Sequence, residues 1–185
     1  SAIARLRTAL EALRQINAPH GEGQALGFLA CAHALRGDRD EALSNAQAAI
    51  PHLQFTQNVS WLLQYIALVH SRHGTEDRAA SLVGYVDRDF ARAGRILYPM
   101  QTRIRDETLA RAQAALGPGE VDLRTASGAK LTEEQAIALA DRLAAVLPND
   151  SRPKVDPFET LTPWVPVPDR NSALPLLRLT PGDSG

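Results

Sequence analysis

Apolar residues recur at three- and four-residue spacing along most of the chain, and short polar segments separate the runs. Two runs between 24 and 53 flank Gly37-Asp38-Arg39-Asp40, whose residue types are typical of a turn. This pattern predicts a helical hairpin whose many small residues let the two helices approach closely. Such a hairpin cannot bury its own apolar stripe, so it needs neighbours of the same kind.

A second helical hairpin is predicted over 59–93, with its turn at 74–77. Gly74 stands 37 residues after Gly37, and with this offset Leu26, Leu29, Ala30 and His33 correspond to Leu63, Ile66, Ala67 and His70. The period is close to the roughly 34 residues of tetratricopeptide repeats, and the order of small and large residues resembles them. The expected fold is therefore all-α, a tetratricopeptide-like (TPR-like) α-solenoid that stacks about seven helices with a right-handed twist.

Helices are predicted on both sides of the two hairpins. Residues 2–16 form an amphipathic helix, the second of an earlier repeat, and 17–21 ends it. Thr132 and Gln135 match a capping box, which marks the start of the final helix. The predicted helices outside the hairpins are 2–16, 100–116, 120–126 and 131–147.

The character of the chain changes at Pro148, after which frequent prolines forbid a long helix. The sequence thus predicts a TPR-like domain over 1–147 and an extended Pro-rich tail over 148–185. The tail also carries apolar residues, Phe158 and Trp164 among them, and a purely solvated linker would have fewer. We expect an extended, partly polyproline-like strap that lies in a groove of its own or of another chain.

Composition and charge narrow the function classes. The chain has 20 basic and 21 acidic residues, so it lacks the basic excess typical of a nucleic-acid binder. No apolar run reaches the roughly 18 residues that cross a bilayer, and a membrane role is not expected. The single cysteine, Cys31, is compatible with a reducing compartment, so the predicted localisation is cytoplasmic. The chain begins with Ser1 in helical rhythm, which suggests a piece of a longer protein.

Four stretches between 79 and 140 together have the form of a known C-terminal region. They are Ala79-Ala80-Ser81-Leu82-Val83-Gly84-Tyr85, the pair Arg103 and Arg105, Ala110-Arg111-Ala112-Gln113-Ala114-Ala115-Leu116-Gly117, and Gly128-Ala129-Lys130-Leu131-Thr132-Glu133-Glu134-Gln135-Ala136-Ile137-Ala138-Leu139-Ala140. They resemble the end of large bacterial signal-transduction ATPase regulators, the LuxR-type and winged-helix transcriptional regulators with a TPR-like tail. The resemblance implies a sensor or scaffold domain. No helix-turn-helix follows Ala140, so the DNA reader would precede this chain, or the chain is a stand-alone scaffold.

The sequence offers little catalytic chemistry. It has no phosphate-binding loop of the Gly-x-x-x-x-Gly-Lys-Ser/Thr type. His70 and His73 share a helix face, but no further ligand stands at zinc spacing, and packing is the alternative role. Cys31 has no base at a suitable position on its helix. We therefore expect no enzyme, no metal and no cofactor.

A concave face is the expected binding surface, because the first helix of each TPR lines it. This likeness implies inward-facing Gln24, Gly27 and Cys31 from one hairpin, and Trp61, Gln64, Leu68 and Arg72 from the next. Trp61 would anchor a peptide beside the fork-shaped donor of Arg72, or it would only cover the end of the core. Trp164 of the tail is a candidate guest for this face.

These observations predict a non-catalytic protein-interaction or sensor domain of a bacterial regulator. Its partner would be a protein, a peptide or a small ligand on the concave face. The alternative is a structural module that forms homo-oligomers, in which the tail of one chain straps onto a neighbouring chain.

Overall fold

The computed structural model describes residues 1–54 and 59–141, and within these ranges the chain is helical, without strands. The predicted all-α class is confirmed for this part. The predicted tail, 148–185, lies outside the described residues, as do its candidate contacts Phe158 and Trp164. The helices are α1 (Ala2–Gln15), α2 (Pro19–Arg36), α3 (Arg39–Gln54), α4 (Val59–Arg72), α5 (Glu76–Arg92), α6 (Pro99–Leu116), α7 (Pro118–Gly128) and α8 (Glu133–Asp141).

Three prolines start helices instead of ending them. The first turn of α2 contains Pro19, that of α6 contains Pro99, and that of α7 contains Pro118. A proline fits there because its missing N–H would have no partner and its fixed φ suits the helix. The prediction that 17–21 only terminates the first helix was therefore wrong at Pro19, and α7 begins earlier than the predicted 120.

The turns of the two hairpins share their hydrogen bonds at an offset of 37 residues. Gly37 and Gly74 both have positive φ, 82° and 76°. The backbone N–H of Asp38 bonds the carbonyl of His33 at 2.9 Å, and that of Thr75 bonds the carbonyl of His70 at 3.1 Å. Each histidine also places Nδ1 near the side chain five residues on, 3.1 Å from Asp38 and 2.7 Å from Thr75. The sequence repeat therefore corresponds to a repeated local structure.

Helices α2, α4 and α6 lie in series, since α4 contacts both of the others. Helix α2 pairs with α3, and α4 pairs with α5. Helix α8 then packs against α4 and α5. Most buried apolar residues of these helices form one continuous core, to which α1 adds Ile3 and Leu10.

Helices α5 and α7 approach each other closely at two glycines. A methyl group at Gly84 would overlap the carbonyl oxygen of Thr125, and one at Gly128 would overlap that of Ser81. This contact depends on the absence of a side chain at both positions. Helix α7 ends at Gly128, so the first two residues of the loop that the sequence predicted at 127–130 are helical.

Helix α8 is fixed at both ends. The predicted capping box is present, because the N–H of Gln135 bonds the Thr132 hydroxyl at 3.2 Å and the N–H of Thr132 bonds the Gln135 side chain at 3.0 Å. At the other end, the carbonyl of Ala140 lies 3.1 Å from Nε2 of His70. The second hairpin turn therefore holds α8 against the stack.

Candidate functional site

A groove of about 660 Å³ opens between α2, α4 and the connection from α5 to α6. We call it the aromatic groove, because five of the six aromatic residues in the described part of the chain line it. The exception is Tyr85, which is buried in the core. The five aromatic residues are Phe28, Trp61, Tyr65, Phe90 and Tyr98.

The rings at the centre of the groove pack against one another. Trp61 lies 5.4 Å from Phe28 in a tilted pair and 6.3 Å from Tyr65 in an edge-on pair, measured between ring centroids. Gly27 leaves room for the Trp61 side chain, because a methyl group at this position would come within 2.8 Å of the indole ring. Burial raises the pKa of Tyr65, and the nearby Cys31 adds to this shift, so the phenol stays protonated as a hydrogen-bond donor.

The rim of the groove is apolar and open to solvent. The exposed fractions are 52% for Phe28, 70% for Tyr98 and 79% for Ile96. Single exposed apolar side chains are ordinary, but a contiguous group of them marks an interaction surface.

Polar groups stand at the same rim. Arg95 places its guanidinium 5.8 Å from the centre of the Phe90 ring and 3.5 Å from the hydroxyl of Ser60. Gln101 accepts a hydrogen bond from the backbone N–H of Tyr98 at 3.0 Å, which fixes the start of α6. Gln24 is exposed on α2. The groove thus combines stacked rings with a few hydrogen-bonding groups, the usual composition of a binding cleft.

Two of the predicted site residues, Gln24 and Trp61, meet in this groove. Cys31, Gln64 and Leu68 are buried, and none of them lines it. The amide of Gln64 donates to the carbonyl of Gln101 on α6 at 2.8 Å. The neighbouring helices explain these positions. Helix α4 packs against α2, and α6 packs against α4. In each helix, the predicted residues after the first one therefore lie in a contact between helices.

Arg72 also serves a helix contact. Its guanidinium donates to the carbonyls of Ala34 and Leu35 at 3.0 and 3.1 Å, which caps the end of α2. It pairs with Glu107 of α6 at 2.8 Å, and Glu107 also accepts from Arg111. The structure therefore separates Arg72 from Trp61, the two residues that the sequence combined into one peptide anchor.

The remaining candidate chemistry is engaged in packing. Burial raises the pKa of the Cys31 thiol, which keeps it protonated. Both ring nitrogens of His70 have partners, Thr75 and Ala140, and burial lowers its pKa to about 4. Within 1–54 and 59–141, no three histidine, cysteine or acidic side chains are grouped as metal ligands. In the same ranges no helix is long and apolar enough to cross a bilayer.

A smaller hollow of about 190 Å³ lies on another face, between α3 and α8. We call it the aliphatic cleft, since Leu43, Ile50, Ile66 and Ile137 supply most of its apolar side chains. Asp141 stands at its edge and hydrogen-bonds Gln47 of α3. This cleft is a gap beside a docked helix and carries no aromatic side chain.

The sequence analysis missed Phe28, Tyr65, Tyr98 and Ile96. One signal was available for Tyr65, because it follows Trp61 by four residues and so shares its helix face. The others come from separate elements, and only the tertiary structure brings them together.

Comparison with protein-family models, with curated proteins and with solved structures gave no match for this chain.

Proposed function

We propose that this chain is a non-catalytic interaction module whose aromatic groove binds an extended peptide segment of a partner protein. The helices would form a TPR-like solenoid, and the module would belong to a bacterial signalling or transcription regulator. Its task would be to couple peptide capture to the rest of that regulator by favouring one packing of the stack.

One observation carries the binding proposal: the clustering of exposed rings. In a chain with 5% aromatic residues, five rings line a single groove, and Phe28 and Tyr98 remain half or more exposed. A folded chain gains by burying such rings, so leaving them open at one place favours a partner that covers them. The groove volume also lies within the roughly 300–1,000 Å³ common for ligand sites.

The solenoid interpretation is supported by the repeated turn and by the series α2, α4, α6. The regulator context depends on the resemblance of 79–140 to the end of bacterial ATPase regulators. Both the context and the non-catalytic character are parts of the proposal.

The test is a selection of ten-residue peptides from a displayed random library on the full chain. The affinity of the selected peptides is then measured for the wild type and for Phe28→Ala. Phe28 is half exposed on α2, so its loss should spare the fold while removing a ring from the groove. We expect at least about tenfold weaker binding, which corresponds to roughly 1.4 kcal/mol.

Ile16→Ser provides the matched control. Ile16 is 73% exposed at the end of α1 and does not line the groove. This variant should bind the selected peptides like the wild type. Equal affinity of the wild type, Phe28→Ala and Ile16→Ser would remove the groove as the binding site.

A further inference from the structure

The chain continues for 44 residues after Asp141, and this stretch holds eight of its twelve prolines. One run of it, Pro163-Trp164-Val165-Pro166-Val167-Pro168, carries no charge and combines three of these prolines with a tryptophan. We infer that residues 163–168 bind in the aromatic groove of their own chain, as a ligand that a partner peptide must displace. The inference rests on the proposed function and names one occupant of the same groove.

The chemistry of residues 163–168 matches that of the aromatic groove. Segments with prolines at short spacing favour the polyproline II helix, which binds aromatic-lined grooves because it is already ordered and its rings stack on flat side chains. The groove offers exposed rings at Phe28 and Tyr98, with Trp61 between α2 and the core. A polyproline II helix makes no internal hydrogen bonds, so its carbonyls need donors. Gln24 and Tyr98 supply an amide and a hydroxyl at the groove.

The aliphatic cleft is the poorer site for this segment. Its volume is about 190 Å³, against about 660 Å³ for the aromatic groove, and its lining offers no aromatic ring. A tryptophan followed by two spaced prolines requires stacking surfaces more than it requires an aliphatic gap.

The connection is long enough for binding within one chain. Between Asp141 and Pro163 the sequence provides 21 residues; with 142–147 helical, as the sequence predicts, they would span up to roughly 60 Å, at about 1.5 Å per helical and about 3.3 Å per extended residue. A compact domain of about 140 residues has a radius of gyration near 14 Å, so the segment reaches any face. Attachment also gives the segment an effective concentration of up to about millimolar, which lets even a weak contact form.

The direct test uses the full chain with photoreactive p-benzoylphenylalanine in place of Trp164. An equal mixture of isotopically heavy and light chains shows whether a cross-link joins one chain or two. We expect cross-links within one chain to α2, to α4 or to 94–101. The same photoreactive residue at Leu179 is the control and should not give these cross-links. Cross-links between chains, cross-links to other faces, or none above the control would overturn the inference.

Competition gives an independent readout. If the tail occupies the groove, Trp164→Ser should bind the library-selected peptides at least about tenfold more tightly than the wild type, because the competitor is weakened. Equal affinity would contradict the inference.

The two proposals can fail separately. If Phe28→Ala loses peptide binding but Trp164→Ser changes nothing and the cross-links are absent, the tail is not the occupant and the groove remains the binding site. If Phe28→Ala binds every selected peptide like the wild type, the proposed function itself is wrong.

Discussion

The aromatic groove and the aliphatic cleft differ in how they arise. The aliphatic cleft forms where α8 packs beside α3, and its partly buried side chains continue the core. The aromatic groove draws on α2, α4 and the connection from α5 to α6, and its rim leaves Tyr98 and Ile96 more than two thirds exposed. The cleft is thus explained by packing alone, whereas the exposed rim of the groove contributes no burial free energy unless something covers it.

The largest expected effect comes from disturbing α5, which packs against α8 and supplies Phe90 to the groove. In Gly84→Ala the new methyl group overlaps the Thr125 carbonyl, so α5 and α7 must separate. We expect the free energy of unfolding to fall by about 3 kcal/mol, measured by chemical denaturation. Gly119→Ala is the control, since its methyl group meets no atom within 4 Å. Equal stability of the two variants would contradict the close α5–α7 contact.

The second largest expected effect is a pH dependence of stability, which acts on α8 and therefore on the aliphatic cleft. Burial lowers the pKa of His70 to about 4, from 6.5 in the unfolded chain. The unfolded state therefore binds the proton more readily, and stability is lost as pH falls from about 6.5 towards 4. For this reason the free energy of unfolding should fall by about 2 kcal/mol from pH 7 to pH 5. His70→Gln should lose that part of the pH dependence, and parallel curves for both proteins would exclude His70 as its source.

A smaller effect is expected from the lining of the aliphatic cleft. Ile137 is partly buried and packs against the core, so Ile137→Ala should cost about 1 kcal/mol of unfolding free energy. Thermal or chemical denaturation measures this loss. Because the side chain lies away from the aromatic groove, the affinity for library-selected peptides should not change. A binding defect as large as that of Phe28→Ala would show that the two hollows are not independent.

The smallest effect on stability, and the most specific, comes from a matched pair of isoleucines. Ile96 lies at the rim of the aromatic groove and is 79% exposed, while Ile16 is 73% exposed on another surface. Changing either to serine should alter the free energy of unfolding by less than about 0.5 kcal/mol. Only Ile96→Ser should weaken peptide binding, by several-fold in a fluorescence titration. Equal binding by both variants would mean that the exposed rim is not part of the interface.

Local structure could be predicted wherever residues a few positions apart decide it. Gly37 and Gly74 fixed the turns by their freedom to adopt positive φ, and Thr132 with Gln135 fixed the start of α8. The all-α class followed from the helical spacing of apolar residues.

The candidate site could be predicted only in part, because long-range packing decides what each helix stripe meets. Gln64, Leu68 and Arg72 share a stripe with Trp61, but α6 covers that stripe beyond its first turn. No local sequence pattern indicates that another helix will cover these residues. The close contacts of Gly84 with Thr125 and of Gly128 with Ser81 are likewise a property of the assembled helices.

The central claim is that the aromatic groove, and not the aliphatic cleft, is the binding surface. Its most direct test is an NMR titration of the full chain with a library-selected peptide. We expect shifts of the Trp61 indole N–H and of the amides at 94–101, while the amides of Ile50 and Ile137 stay in place. Shifts that cluster at Ile50 and Ile137, with the Trp61 indole unmoved, would contradict it.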